Sequence, residues 1–415
     1  MKVCKNYSLY LRAFWNLSLL VLLSFASGCD WIYKPESQPQ PGSTSNQNAA
    51  SLPHLFSVNH DQQICNPTAS QDTMNFKGCM LFLNLEGALN LKVSPEWESA
   101  YLLTNAGAHD RLTIVDTMDT VRWFLMKPGF IPQTEMQKPR WSRHPDYISF
   151  LGDNDFNSDG YVVRISDKAV LKVNTGLLQA NSTTHLWLPD HFKGPSGLAR
   201  NAVPALFSPA GATWDSVSGL VDKATIRAFF NTDSVKFVFS KNKASLGLTI
   251  YYIDYSQVNP TVVEVPRPQG KDGYDCESAQ ISPDGNWIVY NCRRGSVSCE
   301  AYMQYLGFAS EAVLLHDGMA AEPHWWLRES TGELFVEYCT KPGPLEVHLD
   351  LVPADGSSGE TLIRKIAAGP EWLSLHDPES ILTSLPFQGG LTRDGGYLVT
   401  GYIYGYILGF PSIGM

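Results

Sequence analysis

The stretch Asp153-Asn154-Asp155-Phe156-Asn157-Ser158-Asp159-Gly160 sets side-chain oxygens at alternate positions along a loop that ends in glycine. Calcium, a hard cation, gathers several oxygens while glycine makes the sharp turn, so Asp153, Asp155, Asn157 and Asp159 are candidate ligands. Ser166 stands where an EF-hand would close with a bidentate glutamate. An ordinary polar hairpin loop accounts for the same residue types.

Eight cysteines are present. Cys4 and Cys29 belong to an amino-terminal targeting segment, leaving Cys65, Cys79, Cys276, Cys292, Cys299 and Cys339. An even number in an exported chain points to disulfides, and zinc has little support because no Cys-x-x-Cys pair occurs. Cys292 and Cys299 flank Arg293 to Ser298, the loop expected between successive strands, and can face each other across that hairpin. Cys65 with Cys79 would brace the amino-terminal region, which leaves Cys276 with Cys339. Hydrolase chemistry finds no Gly-x-Ser-x-Gly, no glycine-rich phosphate loop and no His-Glu-x-x-His.

The element that positions these groups is clearest at Ile281-Ser282-Pro283-Asp284-Gly285-Asn286-Trp287-Ile288-Val289-Tyr290. Pro283 presets φ for a tight turn, Asp284 bonds the backbone that follows, and Gly285 supplies a positive φ. Trp287 to Tyr290 is then apolar on both faces of the pleat, so the strand must be covered on both sides. A propeller does this by stacking each four-stranded sheet between two neighbours.

This decamer resembles the hairpin repeat of TolB-like propellers. Weaker copies are Val93-Ser94-Pro95-Glu96 before Ala100 to Leu103, Pro139 to Asp146 before Tyr147 to Phe150, and Phe229 to Ser234 before Val235 to Phe239. Others are Pro323-His324-Trp325-Trp326 before Leu334 to Tyr338, and Leu391 to Gly396 before Tyr397 to Thr400. The resemblance implies an all-β fold, a β-propeller of six blades, each a four-stranded antiparallel sheet. Residues 170–222 are long enough to hide a seventh. Short helices are expected at Val217 to Arg227 and Thr361 to Ala368. An early strand, with Cys79 to Leu85 as the candidate, is expected to complete the last blade. Trp141, Trp287, Trp325 and Trp326 fall in blade strands, which favours core packing over a stacking surface for sugar.

His376-Asp377-Pro378-Glu379 resembles the acidic turn of five-bladed glycosidases, in which an aspartate activates water. His376 and Asp377 are therefore the catalytic candidates, although a capped turn explains Asp-Pro-Glu as well.

Lys2, Lys5 and Arg12 precede an apolar run from Ala13 to Phe25, then Ala26-Ser27-Gly28-Cys29. This resembles a bacterial lipoprotein signal, which implies lipidation of Cys29; it departs from the usual pattern at Ala26, where leucine is commoner. Asp30 resembles an inner-membrane retention signal of enterobacterial lipoproteins, and the choice of membrane stays open. Residues 30–53, rich in Pro, Gln, Ser and Asn, read as a disordered tether, and 54–415 as a single propeller domain. Losing the basic signal takes the net charge from −10 to about −13, which argues against nucleic acid as a partner. The expectation is an envelope lipoprotein, outside the cytoplasm, whose propeller binds a protein or glycan ligand without enzymatic turnover. Beyond possible calcium it calls for no cofactor. The alternative is a propeller glycosidase or polysaccharide lyase acting in the channel.

Overall fold

The computed structural model describes residues 55–58, 64–70 and, with short gaps, 75–363, then 389–391 and 397–400. Strand β1 (Leu55–Val58) precedes a first sheet of β2 (Ile64–Ala69), β3 (Met80–Asn84), β4 (Arg111–Val115) and β5 (Val121–Met126), with helix α1 (Pro95–Tyr101) between β3 and β4. The second sheet holds β6 (Gln137–Trp141), β7 (Tyr147–Leu151), β8 (Gly160–Arg164) and β9 (Ala169–Lys172). The third begins at β10 (His185–Trp187). After β11 (Ala205–Leu206) and helix α2 (Lys223–Phe230), it continues with β12 (Lys236–Lys243), β13 (Gly247–Asp254) and β14 (Val263–Glu264). The fourth is β15 (Asp275–Ile281), β16 (Trp287–Arg294), β17 (Ser298–Tyr305) and β18 (Val313–His316). The fifth is β19 (Ala320–Leu327), β20 (Leu334–Gly343), β21 (Glu346–Pro353) and β22 (Glu360–Ile363), and the last described strands are β23 (Gly389–Leu391) and β24 (Tyr397–Thr400).

The arrangement is all-β and propeller-like, but the expected count of six or seven four-stranded antiparallel sheets is not met. Among the described residues four sheets have that form, a fifth carries β11 added in parallel to β9, and a three-stranded sheet joins β1 in parallel to β24. Residues 170–222 supply β10, β11 and the end of β9 rather than an extra sheet. The amino-terminal strand that meets the carboxyl-terminal hairpin is β1, with Leu55 opposite Tyr397. The expected candidate, Cys79 to Leu85, instead forms β3 inside the first sheet.

Four apolar cores lie between successive sheets, and a further one lies between the first sheet and helix α1. Trp123 and Leu112 of the first pack with Ile148 and Val163 of the second. Val162 and Leu171 pack with Leu186 and Phe237, Val238 and Ile250 with Ile281 and Ile288, and Val289 and Ala301 with Val336. Neighbouring Ile288 and Val289 serve different cores because successive side chains leave a strand on opposite faces. Indole N–H groups cross these seams: Trp123 Nε1 donates to the Ile165 carbonyl at 3.1 Å, Trp187 Nε1 to Pro283 at 3.0 Å, and Trp325 Nε1 to Gln280 at 3.0 Å.

The β15–β16 turn closes as its sequence predicts. Ser282 N donates to the Trp287 carbonyl at 2.7 Å, and Gly285 has φ of 76°. A side chain at Gly285 is barred twice, since a Cβ there would lie 2.5 Å from the Trp187 ring. The same closure recurs where Ser142 N meets the Tyr147 carbonyl at 3.0 Å.

Other local expectations are corrected. The residues expected to form a strand from Ala100 end helix α1 instead, because Pro95 starts the helix and Trp97 and Tyr101, one turn apart, bury against Phe124. Phe229 and Phe230 belong to α2, where the Asp222 side chain accepts the Thr225 amide at 2.8 Å, so that helix runs later than Val217 to Arg227. Residues 361–363 of the other expected helix lie in β22.

The disulfide is Cys276–Cys292. These two are register partners of β15 and β16, with Cα atoms 4.1 Å apart. Cys299 faces Arg293 and Cys292 faces Glu300, so the two cysteines expected to pair leave the β16–β17 hairpin on opposite faces. Cys339 aligns with Ala321 and Leu349 in the next sheet, so Cys276–Cys339 is corrected too. Cys65 aligns with Leu83, whereas Cys79 precedes β3 and bonds Ser70 through its backbone. That separates Cys65 from Cys79 by about 13 Å along the strands, beyond disulfide reach. Cys79 and Cys299 are buried.

Candidate functional site

The first strands of successive sheets neighbour one another: β6 lies against β2 and β10, β15 against β10 and β19, and β2 against β23. Four of them share a β-bulge. Register skips between Cys65 and Thr68, Gln137 and Arg140, Glu277 and Gln280, and Ala321 and His324. In each, two residues oppose one on the neighbouring strand, and this one extra residue bends the strand, with left-handed backbones at Lys138 (φ 48°) and Ser278 (φ 57°). Bulges of this kind re-aim the next side chain.

The first residue beyond each bulge is polar and buried: Thr68, Arg140, Gln280 and His324. His185, at the start of β10, joins them, its Nδ1 accepting the Ile281 backbone N–H at 3.1 Å. Arg140, His185 and His324 lie close enough to act on one another electrostatically, and Thr68 and Gln280 hold the matching position on neighbouring first strands; these five positions, one from each of five sheets, are called the collar below. Burial comes first, and the nearby Arg140 charge second, in pushing His185 down to about 3. Burial, Arg140 and His185 hold His324 well below its ordinary value. Both imidazoles are neutral at physiological pH. With Nδ1 of His185 accepting a hydrogen bond, its proton is on Nε2, which makes that edge a donor.

Beside the collar, residues before the bulge bond to charged side chains. Glu277 pairs with Arg293 inside the fourth sheet. Gln137 Nε2 donates to Glu135 at 2.7 Å, and His109 Nδ1 lies 3.1 Å from the same oxygen. The His109 contact is the largest cause of the lowered Glu135 carboxyl.

Of the predicted site residues, Asp153, Asp155 and Asn157 lie outside the described residues, and Asp159 is buried with its carboxylate 2.7 Å from Lys172 Nζ. Among the described residues no three of His, Cys, Asp and Glu gather as metal ligands. Cys29, His376 and Asp377 also lie outside them. No described helix is long and apolar enough to cross a membrane. Trp141 is buried in the core between the first and second sheets, while Trp287 and Trp325 are half-buried at the edge of the core between the fourth and fifth. His144 stays in its own turn, accepting the Asp146 amide. Only His324 of the singled-out residues enters the collar. Sequence reading passed over the rest, yet Asn66-Pro67-Thr68, Lys138-Pro139-Arg140 and Glu322-Pro323-His324 share a signal: proline in the bulge, then a polar residue.

No family model matches the chain, and no curated protein matches its sequence. Among solved structures, TolB from Acinetobacter baumannii aligns over 74% of this chain and 55% of its own, at 13% identity and a TM-score of 0.40. The putative TolB from Agrobacterium tumefaciens aligns over 74% and 83%, at 14% identity and a TM-score of 0.37. Hydrazine synthase of Kuenenia stuttgartiensis aligns over 77% and 80%, at 11% identity and a TM-score of 0.32. This chain spans little more than half the length of the first of them. Identities and scores this low carry no functional information.

Proposed function

We propose that this chain is a bacterial envelope lipoprotein, tethered through lipid on Cys29, whose TolB-like propeller binds a protein or cell-surface ligand without enzymatic turnover. The collar is the observation that supports binding. Burying a polar group costs free energy unless it is fully bonded, and apolar side chains would serve the cores equally well. Polar residues nevertheless stand at the same bulge position in four sheets. Such a repeated choice of polarity suits a site that recognises something.

Thermal unfolding of the full oxidised chain, against glycans, peptidoglycan fragments, peptides and calcium, tests this. A ligand at about a hundred times its dissociation constant adds ~2.7 kcal/mol to the folded state. A saturable shift without turnover is the expected result, and slow cleavage of a bound glycan contradicts it. Calcium tests the loop of Asp153, Asp155, Asn157 and Asp159 in the same experiment.

A further inference from the structure

We infer that the Cys276–Cys292 disulfide is a thiol-exchange site, at which an external dithiol reacts with Cys276 and the Arg267 guanidinium stabilises the thiolate that Cys276 becomes. This is a covalent site apart from the collar, and it stands whatever the collar binds.

Three observations carry it. A surface pocket lined by Thr249, Val265, Pro266, Arg267 and Tyr290 reaches Cys276 and not Cys292, so only one cysteine of the pair borders a path from solvent. Arg267 Nη1 donates to Cys276 Sγ at 3.4 Å, which sets a guanidinium from the pocket wall against that sulfur. The other contacts of Arg267 are neutral: Nη2 donates to the Leu248 carbonyl at 2.9 Å and to Thr249 Oγ1 at 2.6 Å, and Nη1 to the carbonyls of Tyr274 and Lys271. Among the described residues Arg267 makes no ion pair, and Asp272, Asp275 and Glu264 act on it without bonding to it. Carbonyls therefore fix the guanidinium in place without neutralising it, and its charge is permanent. A cation beside a cysteine favours the thiolate over the thiol, and it also draws an approaching thiolate, itself an anion, to the same sulfur.

The exchange moves two electrons. One thiolate of the dithiol bonds to Cys276 Sγ as the Cys276–Cys292 bond breaks, and Cys292 leaves as a thiolate that takes up a proton. The second thiol of the reagent loses its proton and attacks its own sulfur in the mixed disulfide, releasing Cys276 as a thiolate beside Arg267. The dithiol ends as a disulfide, the protein as a thiol and a thiolate, and one proton remains in solution. Reduction releases β15 from β16 two positions before its bulge.

The test uses the full oxidised chain without denaturant, dithiothreitol as the dithiol, and reduced glutathione as a single-thiol trap. Alkylation then caps released thiols, and peptide mass mapping locates each label. Dithiothreitol should open Cys276–Cys292 in the folded chain, and glutathione should be found on Cys276 with Cys292 alkylated. In the reduced chain the pH midpoint for alkylation of Cys276 should lie below the ~8.5 of a free thiol. Arg267→Gln should raise the proton affinity of that thiol about tenfold or more, and Arg267→Lys should recover part of the difference. Glutathione mapping needs no variant, so a misfolded Arg267→Gln leaves the test intact. A bond that dithiothreitol opens only as fast as the whole chain unfolds, or glutathione found on Cys292 or on neither cysteine, overturns the exchange site. A Cys276 midpoint that Arg267→Gln leaves unchanged overturns the role of Arg267.

Discussion

The second and fourth sheets carry the same devices and lock them differently. In each, a bulge on the first strand is followed by a turn that closes through a serine amide, at Ser142 in one and Ser282 in the other. The turn of the second sheet is held from within, by Trp141 Nε1 donating to the Pro145 carbonyl at 3.1 Å. In the fourth it is held from outside, by Trp187 of the neighbouring sheet, with Lys236 Nζ donating to the Gly285 carbonyl at 2.7 Å. Two positions before the bulged pair, buried Met136 leads into the second sheet, and the fourth has Cys276, bonded to Cys292. The repeat therefore preserves backbone geometry, and the side chains that secure it are free to vary.

Truncating the two tryptophans separates the two modes of locking. Trp187→Ala and Trp141→Ala should each cost about 3–5 kcal/mol in denaturant unfolding. Trp187→Ala should also raise hydrogen exchange at the turn of the fourth sheet from its place in the third, while Trp141→Ala raises it in the first and second sheets, whose shared core it fills, and leaves the fourth unchanged. Equal spread from both variants would mean that the seam does not transmit the loss.

Removing the covalent lock comes next. Cys276→Ala with Cys292→Ala frees a loop of sequence separation 16, which the chain-entropy model values at about 3 kcal/mol. Met136→Leu, at the matching place in the second sheet, should cost less than about 1.5 kcal/mol because volume is retained. Comparable losses would remove the contrast. Gly285→Ala is a smaller change by backbone alone, about 1–2 kcal/mol for a left-handed residue, with the close Trp187 ring adding to it. Trp187→Leu should relieve that added part in a double-mutant cycle.

These locks were unequally legible in the sequence. Ser282 to Gly285 names its own turn because each residue is the preferred one for its dihedral, so the fourth sheet could be read directly. The disulfide could not, since Cys276 and Cys292 are joined by a register that depends on where the bulge falls. Helix α1 is not legible because Ser94-Pro95-Glu96 suits a turn and a helix start equally, and the burial of Trp97 and Tyr101 against Phe124 decides between them. The collar escaped because its residues are far apart in sequence and come together only through strand order.

The smallest effect per unit change concerns pH. His185 and His324 are neutral in the folded chain, so the unfolded chain takes up protons first as pH falls below about 6.5. Stability is full above that pH and falls by about 1.4 kcal/mol per unit for each histidine, continuing for His185 toward pH of about 3. Asp146 opposes this. Burial raises its carboxyl to about 6, so its stabilisation is fully present below 3.8 and is lost as pH rises through 6. Between these limits the net loss on acidification is about 1.4 kcal/mol per unit. Urea midpoints from pH 7.5 down to 4.5 check the slope, and His185→Gln should flatten it. A stability that rises on acidification would contradict neutral imidazoles in the collar.

The central claim is that ligand binds at the collar, and hydrogen exchange at the Ile281 amide measures it most directly, because that amide donates to His185. With a ligand found in the thermal-unfolding panel bound, exchange should slow at Ile281 and around Arg140, and stay unchanged at exposed Val258. Protection at Val258 with none at Ile281 would place binding elsewhere and contradict the account.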